Sequence, residues 1–222
     1  MNRARGTDAV TIETGTVRLC ADVTFPGGEI QGVVLFAHGS GSSRLSPRNR
    51  GVAGVLVRHG LVTVLLDLLT EEEEKLDRFT REYRFDIPLL AERLVSATDW
   101  VLEYPPLEDL PIGFFGASTG AAAALIAAAE RPQYVAAVVS RGGRPDLAGA
   151  ALPGVQAPTL LIVGGHDTEV IALNRAAAAQ MTCETELSIV PGATHLFEEP
   201  GTLDQVCELA VDWFRRHLRP TS

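Results

Sequence analysis

Cysteine is scarce in this chain. Cys20, Cys183 and Cys207 are widely spaced and odd in number. They offer no disulfide framework and no metal-ligand spacing, so a reducing cytoplasm is the expected compartment. Cys20 in a strand pattern and Cys207 in a helical one read as small buried hydrophobes. No apolar run reaches the roughly 20 residues that a membrane span needs. The nearest, Ala121 to Ala129, is short, and Met1 to Thr11 lacks the apolar core of a secretory signal. Basic charge is in deficit: 19 Lys and Arg face 28 Asp and Glu, a net charge of −9, which speaks against nucleic acid as a partner. No repeat or linker divides the sequence. Its 222 residues therefore read as one domain, 1–222, with a sizeable core.

What is present is a regular alternation of apolar runs and helical patterns. Strands are expected near 8–13, 16–24, 33–37, 61–67, 111–115, 134–140, 158–163 and 186–190. The first two alternate in polarity and should pair antiparallel at an edge. The later runs are continuously apolar, as in a parallel sheet covered on both faces. Helices are expected near 47–59, 86–103, 119–130, 170–181 and 202–218. Pro88, in a first helical turn, and Pro132, just past a helix, sit where proline is tolerated.

The most informative segment is Gly116-Ala117-Ser118-Thr119-Gly120. It reads G-x-S-x-G, follows the apolar run Ile112 to Phe115, and opens an alanine-rich helix. A serine at such a sharp strand-to-helix turn has its hydroxyl exposed, and the crowded backbone demands small neighbours. The helix N-terminus directs free N–H groups at it. Downstream, Gly164-Gly165-His166-Asp167 and Gly192-Ala193-Thr194-His195 each follow a strand. Open α/β sheets place their sites at such strand ends. Read alone, Asp167 could be a helix N-cap and His195 a loop residue. The run Val33 to Ala37 leads into His38-Gly39-Ser40-Gly41-Ser42-Ser43, whose glycines let a backbone N–H turn toward the serine. That loop has no lysine and no G-x-x-x-x-G-K-[ST] pattern, so it does not read as a nucleotide cradle. His38 reads as an anchor of the turn, His59 as a partner of a helix C-terminus, and His217 as part of a basic solvent face.

Together these motifs resemble the alpha/beta hydrolases of the dienelactone-hydrolase-like type, over about residues 16–218. The resemblance implies an α/β fold with a mostly parallel eight-stranded sheet, its first strands antiparallel, and helices on both faces. Serine, acid, histidine is the chain order of alpha/beta hydrolases. By it Ser118 is the nucleophile, Asp167 the acid and His195 the base. His166, which precedes the last strand, breaks that order. Amides of Thr119 and Ser40 would form the oxyanion hole. The namesake enzymes carry cysteine in the elbow, so Ser118 points to a serine esterase. Small-molecule esters are the expected substrates, with no metal or organic cofactor, no nucleic-acid or membrane partner, and a homodimer as an allowed assembly. Thioester, peptide or acyl-transfer chemistry on the same residues, or a non-catalytic binding module, are the alternatives.

Two further features bear on substrate. Only Arg141 to Ala157 connect strands 134–140 and 158–163, too few residues for a cap domain, so an open site is expected. The acidic stretch Glu71-Glu72-Glu73-Glu74, within 68–85, leaves a strand on the same side. It reads as a solvated face or a short lid. Arg44, Arg48 and Arg141 also leave strand ends there. Each could pair with a protein acid or anchor a substrate carboxylate or phosphate.

Overall fold

Residues 6–218 are described by a computed structural model; of the expected domain 1–222, residues 1–5 and 219–222 lie outside the described part. The strands are β1 (Gly6–Thr14), β2 (Val17–Phe25), β3 (Gly32–Ala37), β4 (Leu61–Leu66), β5 (Ile112–Ala117), β6 (Val135–Arg141), β7 (Thr159–Gly164) and β8 (Thr185–Val190). The helices are α1 (Pro47–Arg58), α2 (Glu71–Thr80), α3 (Ile87–Glu103), α4 (Thr119–Glu130), α5 (Thr168–Ala178) and α6 (Thr202–His217). They form one eight-stranded sheet in the order β1-β2-β4-β3-β5-β6-β7-β8. The β1–β2 and β2–β4 pairs are antiparallel, and the rest run parallel. Between β6 and β7 lie only short 3-10 turns over Pro145–Gly154, so no cap domain covers the sheet.

Alternation along each strand divides the core in two. Val33, Leu35 and Ala37 of β3 face the apolar sides of α3 and α4, whereas Val34 and Phe36 face α1 and α6. The same alternation corrects one expectation. Leu19, Ala21 and Val23 of β2 turn inward, which leaves Cys20 on the exposed face. Cys207 is buried as expected, and burial pushes its thiol up to about 11. His217 is not on a solvent face: its ring packs on Trp213 at 4.5 Å and lies 3.8 Å from Glu184.

The tightest backbone approach in the sheet region is where α4 leaves β5. A Cβ on Gly116 would stand 2.4 Å from the Cα of Ala121, and one on Gly120 would stand 2.2 Å from the Ala37 carbonyl oxygen. Glycine is therefore required at both positions by contact with backbone, which cannot move aside as a side chain can.

The acidic stretch forms α2, opened by a capping box in which Thr70 and Glu73 exchange hydrogen bonds. It is only partly a solvated face. Glu73 meets the buried Arg93 through both oxygens, at 2.7 and 2.5 Å, and Asp77 accepts from the backbone and the Nε of Arg84. Burial pushes the carboxyls of Glu73 and Asp77 up, but the hydrogen bonds from Arg93, Thr70 and Arg84 outweigh it and hold both below their ordinary values. Because these values are depressed in the folded state, their stabilisation is full above the ordinary carboxylate range and is lost as pH falls.

Two outcomes follow from this packing. Arg93→Ala leaves the half-buried Glu73 carboxylate with only its Thr70 bond, which should cost roughly 1–3 kcal/mol in urea unfolding, and amide-exchange protection of α2 should decline on acidification before that of the sheet. Gly120→Ala should cost about 1–3 kcal/mol or more by the same assay, because its methyl has nowhere to go.

Candidate functional site

The site gathers at the C-terminal ends of β3, β5, β6 and β7. Ser118 sits between β5 and α4 with φ 51° and ψ −121°, a conformation that L residues rarely adopt. Surrounding hydrogen bonds hold it there. Its N–H donates to the Arg141 carbonyl at 3.2 Å, and its own carbonyl accepts from the N–H groups of Arg144 and Ala121, both at 3.1 Å. The Ser118 side chain makes no capping bond to α4. Thr119 and Gly120 open α4, where N–H groups have no carbonyl four residues earlier inside the helix.

Asp167 occupies the N-cap position of α5, yet its side chain does not cap the helix. One carboxylate oxygen instead accepts from Nδ1 of His195 at 2.6 Å. His195 follows β8 in the turn that Ala193 and Thr194 begin. A Cβ on Gly142 would lie 3.0 Å from the His195 carbonyl oxygen, so the glycine after Arg141 admits this turn. His195 and Ser118 line one cleft of about 230 Å³, together with Gly39, Ser40, Arg48, Asn49 and Arg141. With Nδ1 engaged by Asp167, Nε2 is the ring nitrogen left for proton transfer. His166 is exposed and does not line this cleft.

The loop after β3 is anchored by His38. Its Nε2 accepts from the Leu68 N–H at 3.0 Å, so its Nδ1–H must donate, and it meets the Gly39 carbonyl at 2.9 Å. Burial lowers the affinity of this imidazole for a second proton. His38 is thus a neutral tie between two loops. Gly39 lies against the nucleophile elbow: a Cβ there would be 3.0 Å from that of Ser118. Ser40 lies at the rim, exposed, between this cleft and a second one of about 330 Å³ bounded by α2 and Arg84. The segment 68–85 therefore forms a wall beside the site, fastened at Glu73 and Asp77.

The three arginines part company. Arg44 is bound to Asp67 and Asp22 and does not line the Ser118 cleft. Arg48 lines the cleft and reaches Glu198 at 3.1 Å. Arg141 is 6% exposed, lines the cleft, and donates to the Asn49 side-chain oxygen at 3.3 Å. Burial, then the nearby charge of Arg48, pushes Arg141 down to about 10. Sequence reasoning passed over Asn49 and Phe197. The Phe197 ring lies under the Arg141 guanidinium at 5.8 Å, and Phe197 itself holds φ 55°. The only signal at Asn49 was a polar residue one turn into α1, on the face that turns to the sheet. Among the described residues no cluster of His, Cys, Asp and Glu suited to a metal ion is found, and no helix is long and apolar enough to cross a membrane.

Comparison with known proteins agrees with this fold. Two Mycobacterium tuberculosis proteins, from strains CDC 1551 and H37Rv, are 56% identical over 211 residues and carry the provisional name phosphoribosyl transferase. They match 95% of this chain, but the chain spans only 46% of their length. A dienelactone hydrolase from Anabaena variabilis is 59% identical, with a TM-score of 0.94 over 96% of this chain and 99% of its own. Est1E from Butyrivibrio proteoclasticus shares the fold at 16% identity, with a TM-score of 0.77 over 94% of this chain and 98% of its own. The model of the dienelactone hydrolase family matches residues 23–218. An eight-stranded alpha/beta hydrolase sheet with a strained serine elbow, matched over nearly its whole length by that model, places this chain in the dienelactone hydrolase family.

Proposed function

We propose that this chain is a serine hydrolase that cleaves small carboxylic esters through an acyl-enzyme on Ser118. The observation that carries the reading is the meeting of a strained serine and a carboxylate-bound imidazole in one open cleft. His195 takes the Ser118 proton through Nε2 as the hydroxyl oxygen attacks the ester carbonyl. Asp167 fixes the imidazole tautomer and stabilises its charged form. N–H groups of Thr119 and of the Ser40 loop receive the oxyanion. The alcohol leaves with the proton from His195, and water activated by the same imidazole releases the acid. The cleft of about 230 Å³, without a cap domain, favours small acyl groups.

The transferase name of the Mycobacterium relatives does not redirect this reading. It belongs to proteins about twice as long, and what this chain carries is a nucleophile elbow.

Ser118→Ala should remain folded, lose labelling by a fluorophosphonate probe, and lose roughly three or more orders of magnitude in kcat on p-nitrophenyl esters. Labelling that persists at another serine, such as Ser40, would overturn the assignment. Asp167→Asn should keep the fold but lower kcat by about 10⁴, because the imidazole then presents the wrong tautomer. A rate close to that of the parent enzyme would show that the 2.6 Å contact plays no part in turnover.

A further inference from the structure

His195 stands on a turn that is largely open to solvent. Its neighbours Thr194 and Leu196 are exposed, and its own side chain is 39% exposed. The Nδ1 bond to Asp167 is nonetheless 2.6 Å long. A close contact made from an exposed turn requires that the backbone of the turn be held, because any movement of it is passed on to the ring.

Two sides of the turn are held by packing and by main chain. The Ala193 carbonyl accepts from the His166 N–H at 2.9 Å, and a Cβ on Gly164 would stand 2.5 Å from the carbonyl oxygens of both Ala193 and Thr194. The turn therefore lies directly on the end of β7, the strand that leads to Asp167. On the other side Phe197 is buried at φ 55°, and Glu198 reaches Arg48 of α1 at 3.1 Å.

Glu199 closes the third side. One oxygen of its carboxylate accepts from the Thr194 N–H at 3.1 Å, and the other accepts from the Thr194 hydroxyl at 2.6 Å. The Thr194 carbonyl accepts from the Phe197 N–H at 3.3 Å. Each polar group of Thr194 is thus engaged within the short loop 194–199. The Glu199 carbonyl accepts in turn from the N–H and the hydroxyl of Thr202, at 3.1 and 2.7 Å, which fixes the loop to the first residue of α6. The Thr194 hydroxyl, then its N–H, hold the Glu199 carboxyl below its ordinary range. An ionised acceptor makes the stronger hydrogen bond.

We infer that Glu199 is a positioning residue, whose carboxylate clasps Thr194 and so holds the His195 ring in register with Asp167 and with the Ser118 cleft. The inference rests on the esterase reading for its effect on turnover, but the hold on the ring does not. Because the clasp lies at the surface, where water competes for the same donors, it adds little to global stability. What it removes is the local freedom of one turn.

The test compares Glu199→Ala and Glu199→Gln with the parent protein. On short p-nitrophenyl esters, Glu199→Ala should lower kcat by about tenfold or more with KM little altered, because the displaced group is the base and not the binding surface. Glu199→Gln keeps one acceptor oxygen and should recover much of that rate. Thr194→Val, which removes the hydroxyl alone, should also slow the enzyme, and adding it to Glu199→Ala should slow it no further. In protein carrying isotope-labelled histidine, the ring-nitrogen chemical shifts of His195, identified by their loss in His195→Gln, should report the Nδ1–H tautomer in the parent and in Glu199→Gln. In Glu199→Ala they should move toward a mixture of tautomers. The midpoint of urea unfolding should stay near that of the parent in both Glu199 variants. A parent-like rate and tautomer in Glu199→Ala would overturn the clasp. So would a slow rate with the tautomer unchanged, or a drop in the midpoint large enough to account for the lost rate. If the parent protein hydrolyses none of the esters, the esterase reading fails, and the tautomer comparison alone decides the clasp.

Discussion

The contact on which the site depends is backbone against backbone, where α4 crosses the ends of β5 and β3. With a Cβ at Gly116 or Gly120 the helix could not approach, and Ser118 could not be held at positive φ between them. Backbone strain at one residue costs about 1–3 kcal/mol and persists only where its surroundings fix it. Here they do so through three main-chain hydrogen bonds at the elbow, one to the last residue of β6 and one from the loop after it. That strand end carries the Arg141 side chain, and the loop opens on the Gly142 that makes room for His195. Ser118, the turn that carries His195 and the buried Arg141 are thus set by one short stretch of chain.

The sheet itself supplies a platform at which several strand ends converge. His38 ties the loop after β3 to the one after β4, and Glu73 ties α2 down onto Arg93. Each tie is a buried polar group with its partner in place, so the loops around the cleft are fixed without a cap domain. What differs from one part of the rim to the next is charge: the α2 side mixes acids and bases, whereas the α1 side is cationic.

Most of the fold could be read directly from the chain. The apolar runs and their proline and glycine punctuation are local signals, and the strands and four of the five expected helices fall within about two residues of where they are expected, while α5 ends three residues earlier. The elbow was equally legible, because a close backbone approach dictates small residues in a fixed pattern. Asp167 was not decided by its own neighbourhood. It stands where a cap would stand, and only the return of the chain at His195 shows where its carboxylate goes. Four consecutive glutamates look alike in sequence, yet Glu73 alone among them meets Arg93, twenty residues away. Cys20 was read as buried because polarity alternation marks which residues share a face, while the face that meets the core is chosen by the rest of the sheet. Pairing of this kind is a property of the assembled molecule. The contrast between Arg44, bound by Asp67 and Asp22, and Arg141, with no acid among the described residues, is the same in nature.

The position of Asp167 has a consequence beyond the reaction. Helix α5 begins on a residue whose type is among the best of caps, but whose carboxylate is committed to an imidazole on another loop. The helix therefore starts with open donors, and the stability that a cap would add, about 1 kcal/mol, is withheld for as long as His195 claims the acid. Loss of that histidine would free the carboxylate to swing back onto its own helix. Under the proposed reaction, a random search for more robust forms of this protein would tend to collect inactive ones at this point, so endurance and turnover would compete for a single pair of oxygen atoms.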